Sequence, residues 1–367
     1  MIPYIIIITL PLLGFALGSR IKDNWYYIDF LTITITSYFL SIRENIGVDL
    51  LTYRGNFYRF ANHLSKQVDF PDKGYNILES IFVNLNLSFN NLLFFIAFFN
   101  LSVVFFYLRT SLIRSKTLAL FFYLIIFDLY VYSLAAIRQS IALSLIVLAI
   151  YFLKNEKLWM CVIFSLIAYL FHWSALGVLP ILLFLRYKNN FNVITLFLIP
   201  PIILLSYFIL IKSPVVSLIA QFNYNTKYYL EILRLSTGSG MSLVALIEIF
   251  IAELLLFIYI FVRKFNNDGK LYLQFRHKAT ISVEIALVVL FLILHSCNDL
   301  YYISAIPRFE MYFYQFIPFV VVNQIESKLS GKYRFIFFVL IIALFSIQFY
   351  FKVKANELYY GNPKFNF

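Results

Sequence analysis

Residues 91–108 read NLLFFIAFFNLSVVFFYL, eighteen consecutive positions without a charged side chain. A run of about 18 or more apolar residues is long enough to cross the hydrocarbon core of a bilayer as a helix. Runs at 2–19, 117–133, 192–211, 241–262 and 334–351 share this character or come close to it. Shorter apolar stretches, each needing a residue or two of flank, lie at 27–42, 140–153, 158–171, 173–185, 281–296 and 309–325. The sequence therefore predicts an all-α, polytopic integral membrane protein of about twelve transmembrane helices.

The composition supports this fold class. Of 367 residues, 62% are hydrophobic and only 13% are charged, whereas a soluble domain is about half apolar and a quarter charged. A β-barrel would show short segments of alternating polarity, but runs such as IIIITL and LIVLAIYFL are continuous. The first run lacks a basic segment before it and an evident cleavage site, so we expect a retained helix. With no internal repeat, we predict a single membrane domain over 1–367.

The net charge of +12 has a plain explanation in such a chain. Basic loops set membrane orientation and contact anionic headgroups, so we predict a lipid bilayer as partner and no nucleic acid. The two cysteines, Cys161 and Cys297, fall in or beside different predicted helices without metal-ligand spacing. We therefore expect no disulfide framework, no metal and no cofactor.

The basic residues also predict an orientation. If the loop with Arg109, Arg114 and Lys116 is cytoplasmic, alternation along the chain leaves most basic residues of the short loops on that side. Two long loops, 43–90 and 212–240, are then extracytoplasmic. The first contains the turn DFPDKGY, followed by an amphipathic stretch that we expect to lie along the surface. Among the short loops only Arg138 and Arg308 remain outside, so their charges need a reason other than topology.

Candidate functional residues cluster at the predicted outer ends of helices, where ionisable groups are costly unless they face a cavity or one another. They are Arg43, Asp49, Tyr53, Arg138, Gln139, His172, Trp173, His295 and Arg308. We expect most aromatic residues to face lipid or the interface, and those near Tyr53, Trp173 and Tyr301–Tyr302 are candidates for stacking on sugar rings. Two acids of the ninth predicted helix, Glu248 and Glu253, form a second tier, as partners of the outer arginines or part of an ion path.

Most of these residues also have a structural interpretation. Arg43 suits a snorkelling anchor, Asp49 a helix cap and His172 an interfacial residue beside Trp173. Arg308 has Glu310 or Asp299 as possible ion-pair partners, and His295 suits a structural role. Arg138 has the weakest structural explanation, because a cation at a helix N-terminus opposes the helix dipole.

Several arginines together with a histidine and an aspartate suggest a particular chemistry. Arginine grips phosphate or diphosphate oxygens with two parallel hydrogen bonds. A nearby imidazole or carboxylate can take the proton of an incoming hydroxyl. No D-x-D or Cys/His metal cluster accompanies them. The pattern favours a metal-independent displacement of a diphosphate leaving group, with arginines stabilising the departing charge.

The motifs carrying these residues resemble those of the EpsG family, relatives of the Wzy-type polymerases of O-antigen, capsule and exopolysaccharide. The pattern R-x-x-x-G-x-D-x-x-x-Y is followed by an acidic-x-G-Y turn, by R-Q-x-I-A opening a helix and by F-H-x-S-A at a hairpin. The matching residues are Arg43, Gly47, Asp49 and Tyr53; Asp72, Gly74 and Tyr75; Arg138, Gln139, Ile141 and Ala142; and Phe171, His172, Ser174 and Ala175. Arg308 is a late match. Leu50 stands where the family often has an aromatic residue.

The resemblance implies a glycosyltransferase that polymerises polyprenyl-diphosphate-linked (undecaprenyl diphosphate) oligosaccharide repeat units at the outer face of the bacterial cytoplasmic membrane. It implies that Arg43, Arg138 and Arg308 hold the diphosphate, and that His172 or Asp49 is the base or orients the acceptor hydroxyl. The long outer loops would form the sugar groove. A chain-length regulator and a flippase are the protein partners to expect.

Three other functions fit parts of the sequence. A lipid-linked glycan ligase would use the same diphosphate chemistry with a different acceptor. A flippase or transporter of lipid-linked sugars would place its charges near the midplane and show repeats, and only Glu248 and Glu253 favour it. A membrane O-acyltransferase rests on His172 alone.

Overall fold

The computed structural model describes residues 2–21, 24–44, 49–62, 72–126, 130, 136–187, 287–288, 290–291, 306–328, 331–360 and 364–365. Helices account for 88% of these residues, so the all-α prediction is confirmed for this part of the chain. The helices are α1 Ile2–Arg20, α2 Trp25–Ser41, α3 Asp49–Ala61, α4 Lys73–Asn84, α5 Phe89–Thr110, α6 Lys116–Ile125, α7 Ile137–Lys154, α8 Leu158–Phe171, α9 Val178–Tyr187, α10 Ile306–Tyr314, α11 Ile317–Lys328 and α12 Gly331–Tyr360.

Four helices of the described part are long and apolar enough to cross a membrane. They comprise Pro3–Arg20, Phe89–Thr110, Ile137–Lys154 and Arg334–Lys354. Shorter apolar helices cover Lys116–Ile125, Leu158–Phe171 and Trp173–Arg186. The predicted helices at 192–211 and 241–262 and the predicted loop 212–240 lie outside the described residues. The count of about twelve spans therefore stays a prediction.

The chain divides into two compact units, and the single membrane domain stays a prediction. The first contains 1–183 and 321–367, and the second contains 184–320. In the second unit, α10 buries Tyr312 and Phe313, and the ring of Tyr314 stacks on that of Phe291 with centroids 4.5 Å apart. Helices α1–α8 and α12 belong to the first unit.

The first two helices pack closely because of two glycines. A Cβ added at Gly14 would lie 1.9 Å from Oγ1 of Thr32, and one added at Gly18 would lie 2.8 Å from both Arg109 and Asp29. Small residues four apart allow helix backbones to approach in a membrane, where packing and polar contacts replace the hydrophobic effect. The glycine pair thus brings α1 against α2 and leaves space for the ion pair between Arg109 and Asp29.

A polar contact joins the middle of α5 to the first two turns of α7. Asn100 Nδ2 donates to Ser140 Oγ at 3.0 Å, and Ser144 Oγ donates to Asn100 Oδ1 at 2.7 Å. Interhelical bonds of this kind stabilise membrane helix pairs. They fix α7, whose first turn carries Arg138, relative to α5.

Helices α1, α5 and α7 run in one direction and α2 and α8 run in the other, so together they create two opposite ends. At the Arg109 end, α1, α5 and α7 finish and α2 begins; Arg109 contacts Asp29 and Ser19, and Lys154 lies 5.6 Å from the Tyr107 ring. At the Arg138 end, α2 and α8 finish and α5 and α7 begin, beside α3 and α4. The ring of Phe57 on α3, 5.5 Å from that of Phe89, ties α3 to the start of α5.

Two helices occupy the predicted loop 43–90, including the amphipathic helix expected after the turn. The latter, α4, buries Asn76 and Glu79 while Ile77 and Ile81 are exposed. Because Tyr75 and Phe82 are buried as well, the inward face combines polar and aromatic side chains, and aliphatic side chains point outward. A short antiparallel ladder pairs Arg43 with Phe365. It brings the end of the chain beside the end of α2.

Candidate active site at the Arg138 end

Arg138 joins three segments that are distant in the sequence. It occupies the first turn of α7, where its Nε donates to the Tyr53 hydroxyl at 2.7 Å and its Nη1 donates to Asp72 Oδ2 at 2.5 Å. Its guanidinium carbon also lies 5.7 Å from the Tyr53 ring centroid. The side chain remains 21% exposed, while that of Asp72 is 3% exposed. The charge of Arg138 is therefore held from the protein side and remains accessible to solvent.

The carboxylate of Asp72 connects the segments that meet at the Arg138 end. From the sequence, Asp72 was recognised only as part of the acidic-x-G-Y motif and not as a candidate site residue. It stands at the N-terminus of α4 without capping that helix. Its Oδ2 accepts from Arg138, and its Oδ1 accepts from the backbone N–H of Trp173 at 3.1 Å. One carboxylate thus links the acidic-x-G-Y turn, the R-Q motif and the F-H motif. The one feature of the sequence that could have identified Asp72 as a site residue was the presence of all three motifs in one chain.

Gly74 explains how Asp72 reaches the end of α8. A Cβ added at Gly74 would lie 2.9 Å from the carbonyl oxygen of Leu170, a backbone atom that cannot rotate away. Only a residue without a side chain allows this approach of α4 to α8. The glycine of the motif therefore sets the distance across which Asp72 contacts Trp173.

Two buried tyrosines line the protein side of the site. Tyr53 and Tyr75 pack edge to face with centroids 5.4 Å apart, and they are 5% and 0% exposed. Burial raises the pKa of Tyr53, an effect that the nearby Arg138 partly offsets. Burial and the charge of Glu79 raise the pKa of Tyr75. Both phenols are neutral at physiological pH, so Tyr53 presents an uncharged oxygen to Arg138.

His172 adjoins this arrangement at the end of α8. Its side chain is buried, and its Nδ1 lies 2.6 Å from Ser174 Oγ. The imidazole stacks on the indole of Trp173, with centroids 6.4 Å apart and planes 18° apart. Trp173 is 47% exposed. The F-H-x-S motif therefore fixes the histidine through its own serine and leaves the indole accessible for stacking.

Three further candidates lie at this end in different settings. Gln139 is buried on α7. Asp49 is exposed as the first residue of α3, and its charge raises the pKa of Tyr53. Arg43 is buried, donates to the carbonyl of Leu40, and has its pKa lowered to about 10 by burial, so it stays charged at neutral pH.

The remaining four candidates lie in the second unit or outside the described residues. Arg308 is exposed near the start of α10, in the second unit. Glu248, Glu253 and His295 lie outside the described residues. Within the described ranges, no group of three or more His, Cys, Asp and Glu side chains is arranged to hold a metal ion.

The arrangement can bind an anion and move a proton. A guanidinium at a helix N-terminus combines its charge with the positive end of the helix dipole, which favours phosphate oxygens. An imidazole held by one ring nitrogen is oriented for proton transfer. An exposed indole can stack on a sugar ring.

The sequence model of the EpsG family matches residues 26–365, which is nearly the whole chain. No curated protein and no solved structure matches the chain. The family match covers both the motifs that meet at Arg138 and the second half of the chain.

Proposed function

The chain belongs to the EpsG family, a family of Wzy-like polymerases, and on that premise we propose that it joins polyprenyl-diphosphate-linked oligosaccharide repeat units into a polysaccharide. The proposed donor is the growing glycan on its lipid diphosphate, and the proposed acceptor is a hydroxyl of the next lipid-linked unit. The observation that carries the proposal is that Arg138 contacts Asp72 and Tyr53, while Asp72 also accepts from the backbone N–H of Trp173.

In this proposal, Arg138 binds the donor diphosphate. Its contacts with Asp72 and Tyr53 hold the guanidinium in one orientation, so little side-chain entropy is lost when phosphate oxygens bind. The negative charge on the leaving diphosphate grows as the bond to the sugar breaks. A fixed cation near that oxygen stabilises the transition state more than the ground state.

The reaction requires one bond to form and one to break. The acceptor hydroxyl oxygen attacks the anomeric carbon of the donor sugar, the bond from that carbon to the diphosphate oxygen breaks, and polyprenyl diphosphate leaves. We assign the proton of the acceptor hydroxyl to His172, whose Nδ1 lies against Ser174. Asp49 is the alternative base. Trp173 supplies a surface on which a sugar ring can stack.

The charge distribution supports an outward-facing site. Arg20, Arg109, Arg114 and Lys154 belong to the Arg109 end or to the turn beside it. Basic residues in short loops favour the cytoplasmic side. With the Arg109 end inside, the Arg138 end faces outward, where a polymerase would meet lipid-linked units after their translocation across the cytoplasmic membrane.

A complementation experiment tests the proposal. A strain lacking this protein would receive the wild type, Arg138→Ala or Arg59→Ala, and its glycans would be separated by length. Arg59 is a matched control, because it is an exposed arginine on α3, the helix that carries Tyr53. We expect the wild type and Arg59→Ala to produce a ladder, and the null strain and Arg138→Ala to accumulate single units on lipid.

Two outcomes would reject the polymerase. Full-length polymer in the null strain would exclude it outright. Loss of all glycan from the final acceptor, including single units, would instead favour a ligase. A ladder from Arg138→Ala beside single units in the null strain would leave the activity standing and reject the assigned site.

A further inference from the structure

A cavity lined by both charged and apolar side chains lies beside the Arg109 end, at the turn between α5 and α6. Its volume is about 780 Å³. The lining comes from α1, the end of α5 and the first turns of α6, and comprises Leu12, Ser19, Arg109, Arg114, Ser115, Lys116, Thr117, Leu118 and Phe121. All these residues belong to the first unit. The cavity shares no residue with the candidate active site.

The lining carries a net positive charge. Three cations face two nearby carboxylates: Asp29 is bound to Arg109, and Glu326 accepts from the N–H and hydroxyl of Ser115. Arg109 is therefore neutralised by its partner. Lys116 Nζ donates to the carbonyl oxygen of Arg109 at 2.6 Å, and Arg114 is exposed. The three cations therefore exceed the two carboxylates by one positive charge, which Arg114 and Lys116 share beside Glu326.

The start of α6 adds hydrogen-bond donors to these cations. Ser115 precedes the helix, but its hydroxyl binds Glu326 and does not cap the first turn. Thr117 and Leu118, both in that turn, line the cavity. First-turn N–H groups have no partner within their helix and carry the positive end of its dipole. Together with the two cations, they suit a phosphate group.

The apolar lining and the surroundings indicate the depth of the cavity. The lining includes the apolar side chains of Leu12, Leu118 and Phe121, here called the apolar wall. Trp25, whose ring lies 5.3 Å from the guanidinium of Arg109, is followed by two exposed tyrosines on α2. Exposed Trp and Tyr mark the headgroup level of a bilayer. A cavity that combines cations with apolar side chains at this depth suits a molecule that has both a phosphate group and a hydrocarbon part.

We propose that this cavity binds the phosphate of an anionic phospholipid headgroup, with Arg114 and Lys116 as its cationic contacts and the apolar wall against the glycerol and upper acyl chains. Lipid phosphate and free inorganic phosphate share the headgroup chemistry. The apolar wall and the interfacial depth favour the lipid. The site is independent of the proposed polymerase reaction, because it lies at the opposite end from Arg138.

The test measures retention of lipid by the full chain, purified in neutral detergent, using native mass spectrometry. The probes are phosphatidylglycerol, phosphatidylcholine and inorganic phosphate. We expect phosphatidylglycerol to bind more tightly than phosphatidylcholine and inorganic phosphate not to displace it. The double variant Arg114→Gln/Lys116→Gln should bind phosphatidylglycerol about thirtyfold more weakly, since two basic residues near an anionic lipid are lost.

The matched control is Arg20→Gln/Lys157→Gln, which removes two exposed cations near the same end but outside the cavity lining. It should bind as the wild type does, within about twofold. Arg114→Gln alone, at an exposed position, should weaken binding about fivefold and serves if the double variant does not fold. Wild-type affinity in the cavity variants, equal weakening in the control, or displacement by inorganic phosphate would overturn the proposal.

Discussion

An Arg–Asp pair stands at each end of the helices, and the two pairs differ in how far the protein encloses the arginine. At the Arg109 end, Nε and Nη2 of Arg109 bind both oxygens of Asp29 at 2.8 and 2.7 Å. Its Nη1 binds Ser19, and its guanidinium carbon lies 3.8 Å from the Phe15 ring centroid. The arginine is 11% exposed. At the Arg138 end, the corresponding value is 21%.

The difference separates a structural ion pair from a binding site. The N–H groups of Arg109 donate to acceptors on α1 and α2, so this residue of α5 joins three helices. Few of its N–H groups remain for binding a ligand. Asp72 instead divides its two oxygens between Arg138 and a backbone N–H of another segment. The aspartate orients that arginine without enclosing it. Both pairs consist of an arginine and an aspartate, so residue type does not distinguish them. They differ in the exposure of the arginine and in the number of its hydrogen-bond partners.

The largest expected effect is on folding, from Asp29→Ala. Removing one partner of a buried pair leaves an uncompensated charge and costs about 3–5 kcal/mol. Folded protein recovered in detergent, measured by size exclusion and thermal unfolding, should fall sharply. The double variant Asp29→Ala/Arg109→Leu removes both charges and should recover part of the loss. An unchanged unfolding temperature in Asp29→Ala would mean that Arg109 is not held as a structural pair.

The next effect is on activity, from Arg138→Ala. Loss of one fixed donor to a developing negative charge typically lowers a rate about 10²–10³-fold. Polymer formation from purified lipid-linked units should fall by that factor per folded molecule. The loss of folded yield should be smaller than in Asp29→Ala, because Asp72 keeps the backbone N–H of Trp173. Arg138→Lys should recover only part of the rate, because a lysine cannot present two parallel N–H groups. A loss of folded protein equal to that in Asp29→Ala would assign Arg138 to structure.

Sequence reasoning predicted the apolar helices and the separation of charges between two ends. Apolar runs and basic loops record bilayer thickness and orientation directly. It also gathered Arg138, Tyr53, Asp72 and His172 from motifs. The role of His172 or Asp49 as base stays a prediction. Sequence reasoning did not single out Asp72, which the structure places in contact with Arg138.

Pairing between distant segments could not be predicted from one sequence. Asp29 and Arg109 are 80 positions apart, and Asp72 and Trp173 are 101 apart. No local periodicity encodes such contacts, since they depend on how close two helices come. The glycines indicate where two helices approach closely. Gly18 leaves space for the pair of Asp29 and Arg109, and Gly74 allows the contact of Asp72 with Trp173. A glycine acquires this meaning only once its neighbour across the interface is known.

Gly74→Ala should give a smaller effect that tests the distance between α4 and α8. The new Cβ would meet the Leu170 carbonyl at 2.9 Å, and overpacking of this kind costs about 1–3 kcal/mol. We expect lower polymer output through displacement of Asp72, with most of the protein still folded. Gly55→Ala is the matched control, because a Cβ there has no atom within 4 Å. That helical change should be neutral or stabilise by about 0.5–1 kcal/mol. Equal effects of the two variants would refute a packing role for Gly74.

The smallest effect should come from Tyr53→Phe, which removes the oxygen that accepts from Arg138 Nε at 2.7 Å and keeps the ring. A hydrogen bond to a charged group contributes about 1.5–3 kcal/mol, but here Asp72 still orients the guanidinium and solvent can reach it. We therefore expect a rate loss of about three- to tenfold, with unchanged thermal unfolding. Tyr58→Phe alters an exposed tyrosine of the same helix and should leave the rate unchanged. If Tyr53→Phe matched the loss in Arg138→Ala, the tyrosine would be as important as Asp72 in orienting the arginine. If it had no effect, the contact with Asp72 alone would be sufficient to orient Arg138. The Tyr53 hydroxyl would then contribute nothing to holding this arginine, and the contrast with the enclosed Arg109 would be larger.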